Sequence, residues 1–134
     1  MKKYLLMILL AGGMLASCST ATEVSELSSV QGNWELISIG GSQIPIPARY
    51  TVVFNADGSF NARNDCNQCS GGYTTDGNAI STGGAVGCTR AFCQPPSFFD
   101  EYAAALSSMS SFIRSGAQLR IQYAGGDLVY LVND

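Results

Sequence analysis

Apolar and polar residues alternate along much of the chain, at the spacing of half-buried strands. Trp34-Glu35-Leu36-Ile37-Ser38-Ile39 predicts a strand that ends at Gly40-Gly41, and Arg49 to Phe54 predicts a second. Asn55-Ala56-Asp57-Gly58 is a turn signal, so Ser59-Phe60-Asn61-Ala62 is expected to return antiparallel to that second run. Gly72 to Thr75 and Asn78-Ala79-Ile80, joined at Asp76-Gly77, predict another hairpin. Gln118 to Tyr123 and Asp127 to Val132, joined at Gly125-Gly126, predict a third. The stretch Gln43-Ile44-Pro45-Ile46-Pro47 could offer an extended edge to a partner strand. We assign it to a crossing between strands, where proline keeps an edge unpaired.

One segment keeps a different period. From about Ser97 to Ser115, the apolar positions Phe99, Tyr102, Leu106, Met109 and Ile113 step by 3, 4, 3 and 4, which places them on one helical face. Pro95-Pro96 precedes this run, Ser97 with Asp100 resembles a capping pair, and Gly116 suits the stop. A sheet with one apolar face needs cover, so the helical stripe is assigned to the core. The fold class expected is α+β: an antiparallel, strongly curved sheet forming a partial barrel, with one packed helix.

The first residues follow other rules. Met1-Lys2-Lys3 is basic, Tyr4 to Leu15 is apolar, and Leu15-Ala16-Ser17-Cys18 follows. A bilayer-spanning helix needs about 20 apolar residues, so this layout is that of a cleaved signal peptide. The Leu-Ala-Ser-Cys tetrad resembles the lipobox of bacterial lipoproteins. That resemblance implies cleavage before Cys18, lipidation of Cys18 and attachment to a membrane through the lipid. Ser19, in place of aspartate, points to the outer membrane on its periplasmic side. Residues 1–17 are thus expected to be the signal peptide, 18–29 a flexible Ser- and Thr-containing tether, and 30–134 the folded domain.

Composition narrows the chemistry. The 134 residues include five cysteines, no histidine, and seven Lys+Arg against ten Asp+Glu. Without Lys2 and Lys3, five arginines face ten acids, a charge of −5. An acidic domain whose arginines are scattered and pair with surface acids is a poor partner for nucleic acid. The empty histidine column removes Ser-His-Asp and Cys-His catalysis and His-metal sites. No lysine remains for Schiff-base chemistry. Neither catalytic residues nor cofactors are expected.

Cys66-Asn67-Gln68-Cys69 and Cys88-Thr89-Arg90-Ala91-Phe92-Cys93 flank the Asp76-Gly77 hairpin. Four thiolates could bind zinc, but the second pair has the wrong spacing and the domain is expected outside the cytoplasm. A redox Cys66/Cys69 pair would normally open a helix, and here a strand follows. The reading adopted is two structural disulfides, as suits a small exported domain, with no metal. Residue types alone leave three connectivities open.

Taken in order, these residues resemble a known family. Trp34-Glu35-Leu36, the Phe54-to-Phe60 hairpin, Cys66-Asn67 followed by Gly71, Gly72 and Tyr73, and Thr89-Arg90-Ala91-Phe92-Cys93 are similar to the META/HslJ-like domain. The closing hairpin from Gly116 to Tyr130 matches as well, so the likeness runs from about Val30 to Asn133. It implies an envelope location and a bridge between Cys66 and Cys93, the two cysteines usual in the family. Cys69, where the family often has Phe, and Cys88 are extra and would form a second bridge. Ala62 and Asp65 stand where the family often has glycine, which bears on the turn geometry there. The family offers no catalytic residues to transfer.

Three functions follow as expectations. The first is a lipid-anchored, non-enzymatic envelope domain that contributes to integrity or stress tolerance through protein or small-ligand contacts. The second is a ligand cavity inside the curved sheet, lined by Tyr50, Phe54, Phe60, Tyr73, Tyr123 and Tyr130, with Arg63 or Arg120 meeting an anion. The third is enzymatic, either thiol-disulfide exchange at Cys66/Cys69 or carboxylate chemistry using Asp57, Asp65, Asp100 or Glu101. For these carboxylates, turn and helix-end roles are the simpler account.

Overall fold

A computed structural model describes residues 29–134. The expected signal peptide, Cys18 and almost all of the tether lie outside the described residues. The strands are β1 (Gly32–Ile39), β2 (Ser42–Gln43), β3 (Tyr50–Phe54), β4 (Ser59–Asn64), β5 (Asn67–Gly72) and β6 (Thr74–Asp76). After them come β7 (Ala79–Ser81), β8 (Val86–Cys88), β9 (Ser111–Ser115), β10 (Gln118–Tyr123) and β11 (Gly126–Val132). A 3₁₀ turn covers Pro47–Arg49, and one helix, α1, covers Phe99–Ser107.

All strands join one antiparallel sheet, in the order β6-β7-β9-β10-β11-β1-β3-β4-β5-β8, with β2 added beside β1. The sheet curls into a half-barrel and α1 packs on it, which is the architecture expected from the sequence. Alternation decides which side chains enter the core. Tyr50, Val52 and Phe54 of β3, Leu119 and Ile121 of β10, and Leu128 and Tyr130 of β11 are all buried. In β1 the alternation breaks: a register shift between Leu36 and Ser38 turns both Leu36 and Ile39 inward. Trp34 is wholly buried and its indole N–H donates to the Val30 carbonyl at 2.8 Å.

The helix is shorter than its apolar spacing predicts. It ends at Ser107, and residues 111–115 form β9 instead. Two forces oppose continuation. Ser107, Ser108, Ser110 and Ser111 are weak helix formers, and the edge of β10 needs a partner. Strand β9 pairs with β10 along its whole length, so Phe112 is 1% exposed while Ile113 is 62% exposed. Ile113, expected in the helical stripe, therefore lies on the opposite, solvent side. Gly116 is not a helix stop but sits, at φ 62°, in the turn between β9 and β10. Ser97 is not the N-cap: α1 begins at Phe99, after Phe98, without a side-chain capping bond. The expected Ser97–Asp100 pair does not form, and the Ser97 hydroxyl only accepts from the Phe99 N–H at 3.1 Å.

The Gln43-to-Pro47 stretch is a crossing, as expected. The Ile44 N–H donates to the Ile37 carbonyl at 2.9 Å, Ile44 is buried, and the chain turns at Pro47. Ala62 lies inside β4, facing the core between Val52 and Cys69, and belongs to no turn.

Candidate functional site at the disulfide-stapled end

Strands β4 and β5 are joined by two residues, Asp65 and Cys66, with Asn64 opposite Asn67. A connection this tight forces Asp65 to φ 62°, a region that Asp tolerates better than most side chains. The turn is tied down from the neighbouring segment. The Asp65 N–H donates to the Arg49 carbonyl at 2.8 Å, and the Arg63 side chain donates to the Asp65 and Ala48 carbonyls at 3.1 and 3.4 Å.

Two bridges close this end of the half-barrel. Cys66, exposed in the turn, is joined to Cys93, with Cα atoms 5.6 Å apart. Cys69 faces inward on β5, directly opposite Cys88 on β8, and is joined to it across 4.0 Å between Cα atoms. Cys66 and Cys69 thus belong to different bridges on a turn and a strand, and neither opens a helix.

Between the bridges, the loop from Thr89 to Cys93 is held by Asn67, which is 1% exposed. Asn67 Oδ1 accepts from the Ala91 N–H at 2.7 Å and from the Thr89 hydroxyl at 2.9 Å, while Nδ2 donates to the Ala91 carbonyl at 3.0 Å. Thr89 Oγ1 in turn accepts from the Gln68 N–H at 3.0 Å. The next residue, Phe92, projects into solvent and is 84% exposed. An aromatic side chain that open on a loop so firmly pinned is preorganised for contact.

Beside the loop runs an apolar cleft of about 130 Å³. Ile46, Arg49 and Tyr50 form one wall, and Gln94 to Pro96 with Phe98 form the other. The Tyr50 hydroxyl accepts from the Phe98 N–H at 2.9 Å, and their rings meet edge to face at 6.1 Å. Ile46 is 49% exposed at the rim. Arg49 reaches Asp65 only at 3.7 Å.

The arginines are not scattered as the sequence suggested. Arg49 and Arg63 converge on the Asp65 turn, and Arg90 lies on the stapled loop. Arg120 does pair with a surface acid, Asp127, at 3.0 Å. Arg114 instead lies 4.9 Å from the centre of the Trp34 ring.

The aromatics proposed to line a cavity within the sheet pack on one another. Phe54 meets Phe60 at 6.1 Å and Tyr73 at 5.0 Å, and Tyr130 bonds Tyr102 of α1 at 2.9 Å. Burial raises the Tyr102 and Tyr130 hydroxyls far above the ordinary tyrosine range. Tyr123 donates to Glu101 at 3.1 Å; burial first, then this carboxylate, pushes it up to about 12. The carboxylates serve local geometry. Asp57 takes the Ser59 hydroxyl and N–H, which hold it below its usual value, and Asp100 and Glu101 sit in the first turn of α1.

Sequence reasoning named the cysteines but missed Asn67 as a clamp, Phe92 as a protrusion and the Arg49–Tyr50 cleft. The Cys66-Asn67 dipeptide was the only available signal.

A family model described as the META domain matches residues 25–134. Among solved structures, the chain is similar to a protein solved by NMR at 17% identity and a TM-score of 0.62, covering 81% of this chain and 92% of that one. It is also similar to a Burkholderia xenovorans protein solved by NMR, at 19% identity and 0.59, covering 92% and 94%. A DUF4847 family protein from Bacteroides vulgatus, solved by crystallography, is similar at 16% identity and 0.57, covering 82% and 97%. These likenesses show the fold alone. No curated protein matches the chain.

Proposed function

The chain belongs to the META domain family, and from that premise we propose that it is a lipid-anchored, non-enzymatic protein of the cell envelope. It is held by lipid on Cys18 at the outer membrane, facing the periplasm, and contributes to envelope integrity or stress tolerance by binding another envelope protein. The Leu15-Ala16-Ser17-Cys18 tetrad and Ser19 support the anchor. Support for binding rather than catalysis comes from a chain without histidine, whose carboxylates are spent on a turn and a helix end. A charge of −5 beyond Cys18 argues against nucleic acid as the partner.

The observation that carries the reading is Phe92. A ring 84% exposed costs little to bury in a partner when its backbone is already fixed by Asn67 and two bridges.

Complementation tests it. Cells lacking the gene are expected to gain sensitivity to detergent, restored by the wild-type chain and not by Phe92→Ser or Cys18→Ala. The Phe92→Ser protein should melt at the wild-type temperature. Full rescue by Phe92→Ser would remove the stapled loop as the contact, and full rescue by Cys18→Ala would remove the anchor. Absence of any sensitivity would overturn the envelope role.

A further inference from the structure

The cleft between Ile46 and Phe98 has a chemistry of its own, independent of the Phe92 contact. Its lining is mostly apolar, with Ile46, three prolines and the rings of Tyr50 and Phe98 beside Arg49 and Gln94. Its volume of about 130 Å³ is close to that of apolar cavities of about 150 Å³ that accept benzene. Space of that size suits one ring.

Two of the residues lining this space carry polar groups with bonding capacity unspent. The Tyr50 hydroxyl, on a residue 3% exposed, accepts from the Phe98 N–H and, among the described residues, donates to no acceptor. A hydroxyl carries one hydrogen to give as well as lone pairs to receive. The Arg49 guanidinium has several N–H donors and reaches Asp65 only at 3.7 Å, with its side chain 46% exposed. A positive fork and a buried O–H donor among the residues lining a largely apolar slot match an anion carried on a ring. A carboxylate accepts both, since it has two oxygens and no hydrogen to offer. We propose that this cleft is a binding site for a small free aromatic carboxylate, its ring between Ile46 and Phe98 and its oxygens on Arg49 and Tyr50.

Sodium benzoate is the probe, titrated into the full chain extracted in detergent and followed by amide NMR, with benzamide as the neutral match in shape. Saturable shifts are expected at Ile46, Arg49, Gln94 and Phe98. Arg49→Gln should weaken benzoate at least about tenfold, the scale of a lost bond to a charged group, and benzamide should bind the wild type correspondingly worse. Tyr50→Phe, which keeps the ring, should weaken benzoate while leaving the melting temperature within a few degrees. Shifts that never saturate, equal affinity for benzoate and benzamide, or indifference to Arg49→Gln would overturn the proposal. Tighter binding of N-acetylphenylalanine than of benzoate would overturn it in favour of a peptide end. Phe92→Ser should bind benzoate as the wild type does. Failure of benzoate with intact complementation therefore sinks this site alone.

Discussion

The side-chain amide of Asn67 holds the backbone of Ala91 at both of its polar groups, accepting its N–H at 2.7 Å and donating to its carbonyl at 3.0 Å. Such a bond pair copies a sheet ladder with one side chain, and it fixes a loop that contributes no strand there.

Removing that amide should loosen the loop before it unfolds the domain. Asn67→Ala is expected to cost about 2 kcal/mol, the scale for a buried polar group that leaves its partners unpaired. Asn67→Asp should not rescue it, because a carboxylate cannot donate to the Ala91 carbonyl and would lie almost wholly buried. Urea denaturation gives the loss, and hydrogen exchange at Ala91 should accelerate well beyond that of β10 amides. Unchanged exchange at Ala91 would show that the bridges alone hold the loop.

The two bridges are nested, since Cys69 and Cys88 lie within the segment closed by Cys66 and Cys93. With the inner bridge intact, the outer one closes only the short stretches 66–69 and 88–93. Chain entropy then assigns about 2.5 kcal/mol to replacing Cys66 and Cys93 by Ser, and about 6 kcal/mol to removing both bridges. The double loss should therefore exceed the sum of the single losses. Simple additivity in denaturant titrations would mean that residual structure in the unfolded chain, not loop closure, sets these values.

Alkali should unfold the domain cooperatively. Tyr102, Tyr123 and Tyr130 all keep their protons above the ordinary tyrosine value of 10 in the folded state. Below pH 10 folded and unfolded chains carry the same protons at these sites. Above it the unfolded chain releases protons that the folded chain retains, so stability falls as pH rises. Each such proton contributes about 1.4 kcal/mol per pH unit over that window. The urea midpoint should hold steady from pH 8 to 9.5 and drop steeply from 10 to 12. A Tyr130→Phe variant should show a shallower fall, and a flat midpoint through pH 11 would refute the assignment.

Asp65 is a residue in a glycine's place. It takes φ 62°, and its Oδ2 is buried without a partner among the described residues. Asp65→Gly relieves the backbone and removes the stranded carboxylate, while giving up a 3.7 Å contact with Arg49. A gain of about 1 kcal/mol is expected despite glycine's greater freedom when unfolded. Thermal unfolding reads it, and destabilisation would show that the Arg49 contact outweighs the strain.

The alternation of apolar residues located β1, β3, β4, β10 and β11, because a period of two is imprinted wherever one sheet face is buried. Turn residues marked the hairpins for the same local reason. Helix α1 started just after Pro95-Pro96 and Ser97, close to the expected place but without the expected capping pair, and its end was not legible. The stripe from Phe99 to Ile113 suits a helix as well as a helix followed by a strand, and only the open edge of β10 chooses. Strands β5 and β8 were equally hidden, since Asn67 to Gly72 carries little apolar alternation and is held by β4 and a disulfide.

By itself, the sequence determined the curved antiparallel sheet, the helix upon it, the cysteine cluster and a chain without histidine chemistry. These follow from local preference and composition, which neighbours in sequence express. Tertiary structure decided the clamp of Asn67 on Ala91, the exposure of Phe92, the gathering of Arg49 and Arg63 at one turn, and the cleft beside Tyr50. Each of these joins segments separated in sequence, and no periodicity records which distant residue will be adjacent once the sheet has curled.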